Sequence, residues 1–273
     1  MIADTIAPGH LKTEDEHRRE LCLAGQWLYE RGFVPATDGN LSVRLDPNRI
    51  LISPSNHCKG MLRPDALAIT DLKGKMLVGR AGPSSEIGMH LAIFQRRPDV
   101  NAICHAHPPT ATGFAAAGKA LDKPLLTEVI ATLGAVPLAG YAMPGTHEVA
   151  ESLSPLIDKH DAILLSNHGV VTYGPDLLTA FFRMETVEQL AKITLVTEML
   201  GKQSLLSGGD VEKLLAARTY ASSDARVKPH RSGTQDAAAD ARAHQQGEAR
   251  VTLTRQELED LIEEALRRDR ARR

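Results

Sequence analysis

Cysteine is scarce. The chain of 273 residues has three, Cys22, Cys58 and Cys104, far apart and odd in number. No CxxC pair occurs, so a disulfide framework is not expected and a reducing compartment is. Net charge is nearly absent too: 32 basic against 34 acidic residues leave a formal charge of -2. Nothing in that balance draws the chain to nucleic acid or to an anionic membrane. No apolar run reaches about 18 residues, so no membrane span is expected. The first residues lack a basic stretch followed by an apolar one, so no secretory leader is expected and a cytoplasmic location is. What the chain does have is 42% hydrophobic and 24% charged residues. That supports one domain with an appendage better than two full domains.

Composition shifts sharply near Ala221. Residues 222–250 read SSDARVKPHRSGTQDAAADARAHQQGEAR, with Val227 as the only sizeable aliphatic. Such a segment buries too little to offset its ordering entropy and is expected to be a disordered linker. Residues 251–273 follow as VTLTRQELEDLIEEALRRDRARR. Here Leu258, Leu261, Ile262, Ala265 and Leu266 fall on one helical stripe. Thr254 and Glu257 have the capping-box spacing, and Leu253 can staple to Leu258. Acids early and arginines late suit the helix dipole. The expected organisation is a folded body over 1–221, a linker over 222–250 and an amphipathic helix over 251–273.

The body alternates helical and strand patterns. Residues 14–31 read as a helix with Leu21, Ala24 and Leu28 on one side and Gly32 as the stop. NLSVRL and RILISPS read as strands around a turn at Asp46, Pro47 and Asn48, and ALAITDLKGKML as a hairpin turning at Lys73 and Gly74. A helix is predicted from Ser84, Ser85 and Glu86 to about Arg96. VNAICHAH reads as a strand, followed by a helix from about Pro109. DAILLSNHGVVTYG reads as strand, break, strand, and 177–200 as a long helix. Hairpins outnumber βαβ units, which predicts an α/β fold of three layers, α-β-α, with a central, largely antiparallel sheet flanked by helices.

HAH, residues 105–107, carries the chemistry. On a strand, positions i and i+2 share a face, so His105 and His107 project together. His168 follows a second apolar run, and three strand-end histidines would leave a metal with an open position, the catalytic zinc pattern. His90, His147 and His160 are alternatives for the third role; each reads as an ordinary surface or helix-cap histidine. Ser84 and Ser85 open a helix, where free N–H groups and the dipole suit a phosphate, although taken alone they read first as a simple Ser cap. Glu86 follows in the first turn, as a dipole-complementing carboxylate or a proton carrier. Thr37, Gly39 and Asn40 in ATDGNLSV, and the SPSN loop at 53–56, are small polar turns suited to phosphate oxygens, or simply turns.

The ordered series TDGNLSVR, LISPS, GPSSE, HAHPPTA, GYAMPGTHE and SNHG resembles the class II aldolase/adducin family over roughly residues 14–220, and within it the fuculose phosphate branch. The resemblance implies that His105, His107 and His168 bind zinc, one ion per subunit, and that Glu86 is the catalytic carboxylate, able to reach the metal as well. It implies a phosphate set of Thr37, Asn40, Ser55, Ser84 and Ser85, and a C-terminal tyrosine, Tyr220, that assists catalysis. It further implies a homotetramer with sites at subunit interfaces. Two positions depart from the pattern. Asn56 stands where the aldolases have glycine. Glu128 stands where they have a tyrosine, and a related dehydratase branch has a catalytic glutamate there. The implied activity is zinc-dependent, reversible retro-aldol cleavage of a deoxy-ketose 1-phosphate, L-fuculose or L-rhamnulose 1-phosphate, to dihydroxyacetone phosphate and lactaldehyde. The alternatives on the same fold are methylthioribulose-1-phosphate dehydration and sugar-phosphate epimerisation or decarboxylation; a non-catalytic adducin-like binding role is the alternative of a different class. The helix at 251–273 resembles the encapsulation peptides of bacterial microcompartment cargo, which implies a shell protein as partner and a location inside such a compartment.

Overall fold

A computed structural model of the protein describes residues 12–221. The chain runs α1 (Glu14–Glu30), β1 (Asn40–Asp46), β2 (Arg49–Ile52), β3 (Ala68–Asp71), β4 (Met76–Val78), α2 (Ile87–Arg96), β5 (Ala102–Ala106), α3 (Pro109–Ala116), α4 (Thr127–Thr132), β6 (Leu138–Ala139), α5 (His147–Leu153), β7 (Ala162–Leu165), β8 (Gly169–Gly174), α6 (Leu177–Met199) and α7 (Gly208–Ala221). Two short 3-10 turns, Lys59–Met61 and Pro64–Ala66, join β2 to β3. The strands form one sheet in the order β4-β3-β2-β1-β5-β8-β7-β6, antiparallel at every pairing except β6 with β7. The fold is therefore α/β with a mostly antiparallel sheet, as the hairpin-rich pattern predicts.

Strand alternation builds the layers. Leu41, Val43, Ala102, Cys104 and Val170 face one core with Leu21, Leu28, Phe114, Phe181 and Met184 of α1, α3 and α6. Ile50, Ile103, Ile163, Val171 and Tyr173 face the other, with Met89, Phe94, Val149 and Leu153 of α2 and α5. Each fully buried aliphatic side chain contributes roughly 1.5–3 kcal/mol by leaving water. The same alternation sends Asn40, Ser42 and His105 to the α2 face, in among apolar neighbours. All three are buried, and buried polar groups need partners.

The local expectations fare as follows. Helix α1 starts directly after Thr13, the N-cap of a complete capping box with Glu16, and ends at Glu30, with Gly32 at φ +70° just past its C-cap. Asp71 accepts from the backbone N–H groups of Lys73 and Lys75 and shapes the predicted hairpin turn. Helix α2 begins later than predicted, at Ile87, with Ser84, Ser85 and Glu86 in a turn ahead of it; the N-cap position belongs to Glu86, which makes no side-chain cap bond. Instead the Ser84 hydroxyl accepts from the Glu86 N–H at 3.3 Å. Among the described residues no helix is long and apolar enough to cross a membrane. The linker and the helix expected at 222–250 and 251–273 lie outside the described residues.

Candidate metal centre

The three histidines arrive from two strand junctions. His105 is the fourth residue of β5, and His107 lies just past its end. His168 sits in the three-residue turn between β7 and β8. Strands β5 and β8 pair, with His105 opposite Val171 and Ala106 opposite Val170, so the turn at His168 returns to the β5 end. The approach is close: a Cβ on Gly169 would stand 2.5 Å from His107 Cδ2 and 2.7 Å from the Ala106 carbonyl. Gly39 plays the equivalent part on the other side. It has φ +68°, and a Cβ there would lie 2.7 Å from the His105 carbonyl, so only glycine meets both demands.

One ligand atom from each histidine lies within 4.8 Å of the others. The ring centroids are 4.8 to 5.0 Å apart, tilted edge to face. His105 Nε2 and His107 Nε2 are 3.3 Å apart. Two imidazole nitrogens on one tetrahedral zinc, each about 2.0–2.1 Å from it, would stand about 3.3 Å apart. Outer partners set the tautomers. His105 Nδ1 donates to the Val170 carbonyl at 2.9 Å, and His107 Nδ1 donates to the Asp38 carboxylate at 3.1 Å. Both Nε2 atoms therefore point inward as lone-pair donors, the arrangement that fixes metal-binding imidazoles.

Glu86 completes the cluster. One carboxylate oxygen, Oε2, lies 3.3 Å from His105 Nε2, and the other, Oε1, lies 3.2 Å from His168 Nε2. Oε2 accepts a hydrogen bond from the Asn40 amide at 2.8 Å. Oε1 is buried without a hydrogen-bond partner. An orphaned, buried carboxylate oxygen against three inward-facing imidazoles is a donor set that a divalent cation satisfies. The residues present fit a zinc ion, and His105, His107 and His168 would hold it, with Glu86 in reach.

The electrostatics agree. Burial alone would raise the Glu86 carboxyl, but His105 and then His168 hold it well below the usual carboxylate range. Burial opposes charge on His105 as well, yet the Glu86 carboxylate outweighs it and moves that imidazole up. His168 is pushed down to about 4, first by burial and then by His105. His107 is lowered by the same two causes in the same order.

The proposed phosphate loops are neighbours. Pro54 bridges to Pro83, Ser84 N–H donates to the Ser53 carbonyl at 3.1 Å, and Ser55 N–H donates to the Gly82 carbonyl at 3.1 Å. The structure thus aligns the SPSN and GPSS segments, with Ser84 buried and Ser85 exposed. Asn56 adopts φ +56°. Asparagine tolerates that left-handed region, so the residue replacing glycine keeps a glycine-type backbone. Thr37 is exposed, and its carbonyl accepts from the buried Lys59 ammonium at 2.8 Å; the same ammonium donates to the His57 carbonyl at 2.6 Å. Lys59 ties the Thr37 turn to the loop after Ser55, a role invisible in a sequence where lysine normally reads as surface. A small cavity beside Ser85 and Glu86 is closed by Gly145 and Thr146 of the GYAMPGTHE segment.

One reading of the histidines changes here. His90 is not a surface histidine: it is fully buried, and its ring joins Ser42 and Asn40. His147 is exposed, paired with Glu151 one turn on, and His160 is half-buried, with Nδ1 donating to the Ala135 carbonyl at 3.2 Å. Glu128 is exposed in the first turn of α4 and is not one of the groups gathered around the histidines. Tyr220 falls on the backbone of α7, but its side chain lies outside the described residues. Asp38, beside His107, was not singled out from the sequence; its place in the turn before Gly39 and Asn40 is the signal that could have found it.

Comparison with known proteins accords with this centre. Residues 19–195 match the family described as Class II Aldolase and Adducin N-terminal domain. An L-fuculose phosphate aldolase of Methanococcus maripaludis is 35% identical over 176 residues, 64% of this chain and 93% of that protein. A 3-oxo-tetronate 4-phosphate decarboxylase of Pectobacterium atrosepticum is 32% identical over 211 residues, 75% of this chain and 94% of that protein. Among solved structures, an L-fuculose 1-phosphate aldolase superposes with a TM-score of 0.70 at 32% identity, covering 77% of this chain and 98% of that one. The crystal structure of YgbL from Klebsiella pneumoniae, a putative aldolase/epimerase/decarboxylase, also gives 0.70 at 29% identity, covering 74% and 99%. With its three-histidine centre and this kinship, the chain belongs to the class II aldolase/adducin family and is an enzyme of the aldolase, carbon–carbon lyase, type.

Proposed function

We propose that the protein reversibly cleaves a deoxy-ketose 1-phosphate, L-fuculose 1-phosphate or L-rhamnulose 1-phosphate, to dihydroxyacetone phosphate and lactaldehyde. The observation that carries this reading is the position of Glu86, 3.3 Å from His105 Nε2 and 3.2 Å from His168 Nε2, with Oε1 buried and accepting no hydrogen bond. A carboxylate so placed can exchange a proton with carbon next to the metal ligands. His105, His107 and His168 would hold one zinc ion per subunit, which would supply a Lewis acid to stabilise the negative charge that cleavage leaves on the ketose fragment.

The chain's own groups do the rest. Glu86 is ionised at neutral pH, so in the synthetic direction it removes a proton from dihydroxyacetone phosphate, and in cleavage it returns one to the same carbon. Thr37, Asn40, Ser55, Ser84 and Ser85 hold the phosphate, whose binding energy fixes the reacting end. The Asn40 amide nitrogen has two hydrogens, and the bond to Glu86 uses one. A second group, Tyr220 or Glu128, handles the proton at the C4 hydroxyl. The exposure of Glu128 suits a residue offered to a neighbouring subunit of a homotetramer.

A second reading has its own support. Relatives named 3-oxo-tetronate 4-phosphate decarboxylase reach 32% and 37% identity. Loss of carbon dioxide beside a ketone also leaves an electron pair on carbon, so the same centre serves. Glu128 keeps methylthioribulose-1-phosphate dehydration as a further alternative. The experiment is product identification by NMR after zinc-loaded protein meets each of these phosphates in parallel. Dihydroxyacetone phosphate and lactaldehyde from a deoxy-ketose 1-phosphate support the first reading; carbon dioxide from the oxo-tetronate phosphate alone replaces it.

The segment 251–273 is proposed as an encapsulation peptide that binds a microcompartment shell protein, with 222–250 as its tether. The apolar stripe at Leu258, Leu261, Ile262 and Leu266 supports this, as does the slack of the polar tether. Enclosure of the otherwise cytoplasmic enzyme would confine lactaldehyde, a reactive and volatile product.

A further inference from the structure

His90 is fully buried between α2 and the sheet, and its two ring nitrogens have one partner each. Nδ1 meets the Ser42 hydroxyl at 2.6 Å, and Nε2 meets the Asn40 amide oxygen at 2.5 Å. The other end of that amide donates to Glu86 Oε2 at 2.8 Å. These contacts determine every hydrogen. A carboxylate only accepts, so Asn40 must turn its NH2 toward Glu86 and its oxygen toward His90. That oxygen only accepts, so His90 carries its proton on Nε2. Nδ1 is then a lone pair, and it accepts from Ser42. Burial keeps the ring neutral, pushing its pKa down to about 3.

Two elements, β1 and α2 with its N-cap, supply this one-way chain. Asn40 and Ser42 sit two apart on β1 and share a face; His90 is one helical turn from Glu86, so both look onto that face. We propose that His90 is a positioning residue: the series Ser42 to His90 to Asn40 holds Glu86 by Oε2 and leaves Oε1 as the oxygen that carries the proton to and from carbon. The role rests on the reading of Glu86 given above, and it adds a residue that touches neither metal ligand nor substrate. Without the His90 donor, the Asn40 oxygen is buried and unsatisfied. An amide with an unsatisfied buried oxygen is held from one side only, by its bond to Glu86, and nothing else fixes its rotation. Glu86 loses its hold and its orientation.

The test uses the full-length, zinc-loaded protein with H90L and H90Q. Leucine removes both ring contacts; glutamine can accept from Ser42 and donate to Asn40. Long-range 15N spectra of the wild type should show His90 neutral with the proton on Nε2. H90L should keep its zinc while kcat falls about 10–100-fold with little change in KM, since misplacement near 1 Å costs up to about that much. H90Q should recover most of the loss. An Nδ1–H tautomer or a charged ring overturns the proposal. So does H90L with unchanged kcat, and so does equal loss in H90L and H90Q, which would mark a packing role. The tautomer needs no substrate, and turnover is read on whichever phosphate the panel identifies, so a wrong substrate assignment and a wrong role for His90 give different results.

Discussion

Asn40 stands directly opposite His105 in the antiparallel pairing of β1 with β5, and both side chains converge on the Glu86 carboxylate, one by a 2.8 Å hydrogen bond and the other at 3.3 Å. A sheet register thus sets the distance between a metal ligand and a proton carrier. Replacing Glu86 by Gln keeps the shape and removes the base. E86Q should retain zinc and lose about 10²–10⁴ in the rate at which dihydroxyacetone phosphate exchanges its C3 hydrogen with deuterated water. Proton NMR in deuterated buffer reads this; undiminished exchange removes Glu86 from its role.

Asp38 accepts from His107 Nδ1 and so fixes which nitrogen faces the metal. D38A should weaken zinc binding about 10–100-fold, the usual effect of losing such a partner. Competition with a fluorescent chelator measures it, and an unchanged affinity would show that the ring needs no such anchor.

Gly169 is a spatial requirement. An added Cβ meets a ring carbon and a backbone carbonyl, both under 3.0 Å. The carbonyl cannot move without the strand. G169A should cost about 1–3 kcal/mol of stability and lower zinc affinity by displacing His107. Thermal unfolding and zinc titration of the same sample check both effects.

The metal-free chain should lose stability as pH falls from 7 toward 4. His90 and His168 are neutral in the fold down to about 3 and about 4, against an ordinary 6.5. Between those values the unfolded chain binds protons that the folded chain refuses, so stability rises with pH. Glu86, held low, joins this trend only at the acid end, as pH falls below the ordinary carboxylate value of 4.5. His105, raised, has the opposite sign: its contribution is present below 6.5 and is lost as pH climbs through its raised value. His90 is the fully buried member, so H90Q should flatten the profile by on the order of a few kcal/mol. Melting curves between pH 4.5 and 7.5 decide it, and parallel profiles for H90Q and wild type would contradict the assignment.

Much of this was legible in the sequence, for stated reasons. The period of two placed His105 and His107 on one face, and the strand-break-strand pattern brought His168 to the same edge. Hairpin turns announced an antiparallel sheet. What escaped depends on tertiary contact. His90 looks ordinary in the middle of a helix; only the packing of α2 on the Asn40 and Ser42 face makes it buried. The spacing of four between Glu86 and His90, read with the spacing of two between Asn40 and Ser42, is the local trace of that arrangement. Lys59 escaped because its burial depends on two loop carbonyls that no pattern encodes. The start of α2 was placed early because Ser84, Ser85 and Glu86 form a turn that resembles a cap in sequence.

The tail prediction stands apart from the catalytic ones. Residues 248–273 fused to a fluorescent reporter should concentrate it in cells that assemble shells, and replacing Leu261 and Ile262 by Ser should disperse it. A diffuse reporter in the presence of assembled shells would leave the stripe without its proposed target.

The central claim is that His105, His107 and His168 hold a single divalent cation. Zinc content of the purified chain, measured by mass spectrometry of the element after dialysis against trace metal and compared with H107A and H168A, tests it most directly. The account predicts one tightly held equivalent in the wild type and near-complete loss in both variants. Wild-type protein that takes up no metal, or variants that hold it as tightly, would contradict it.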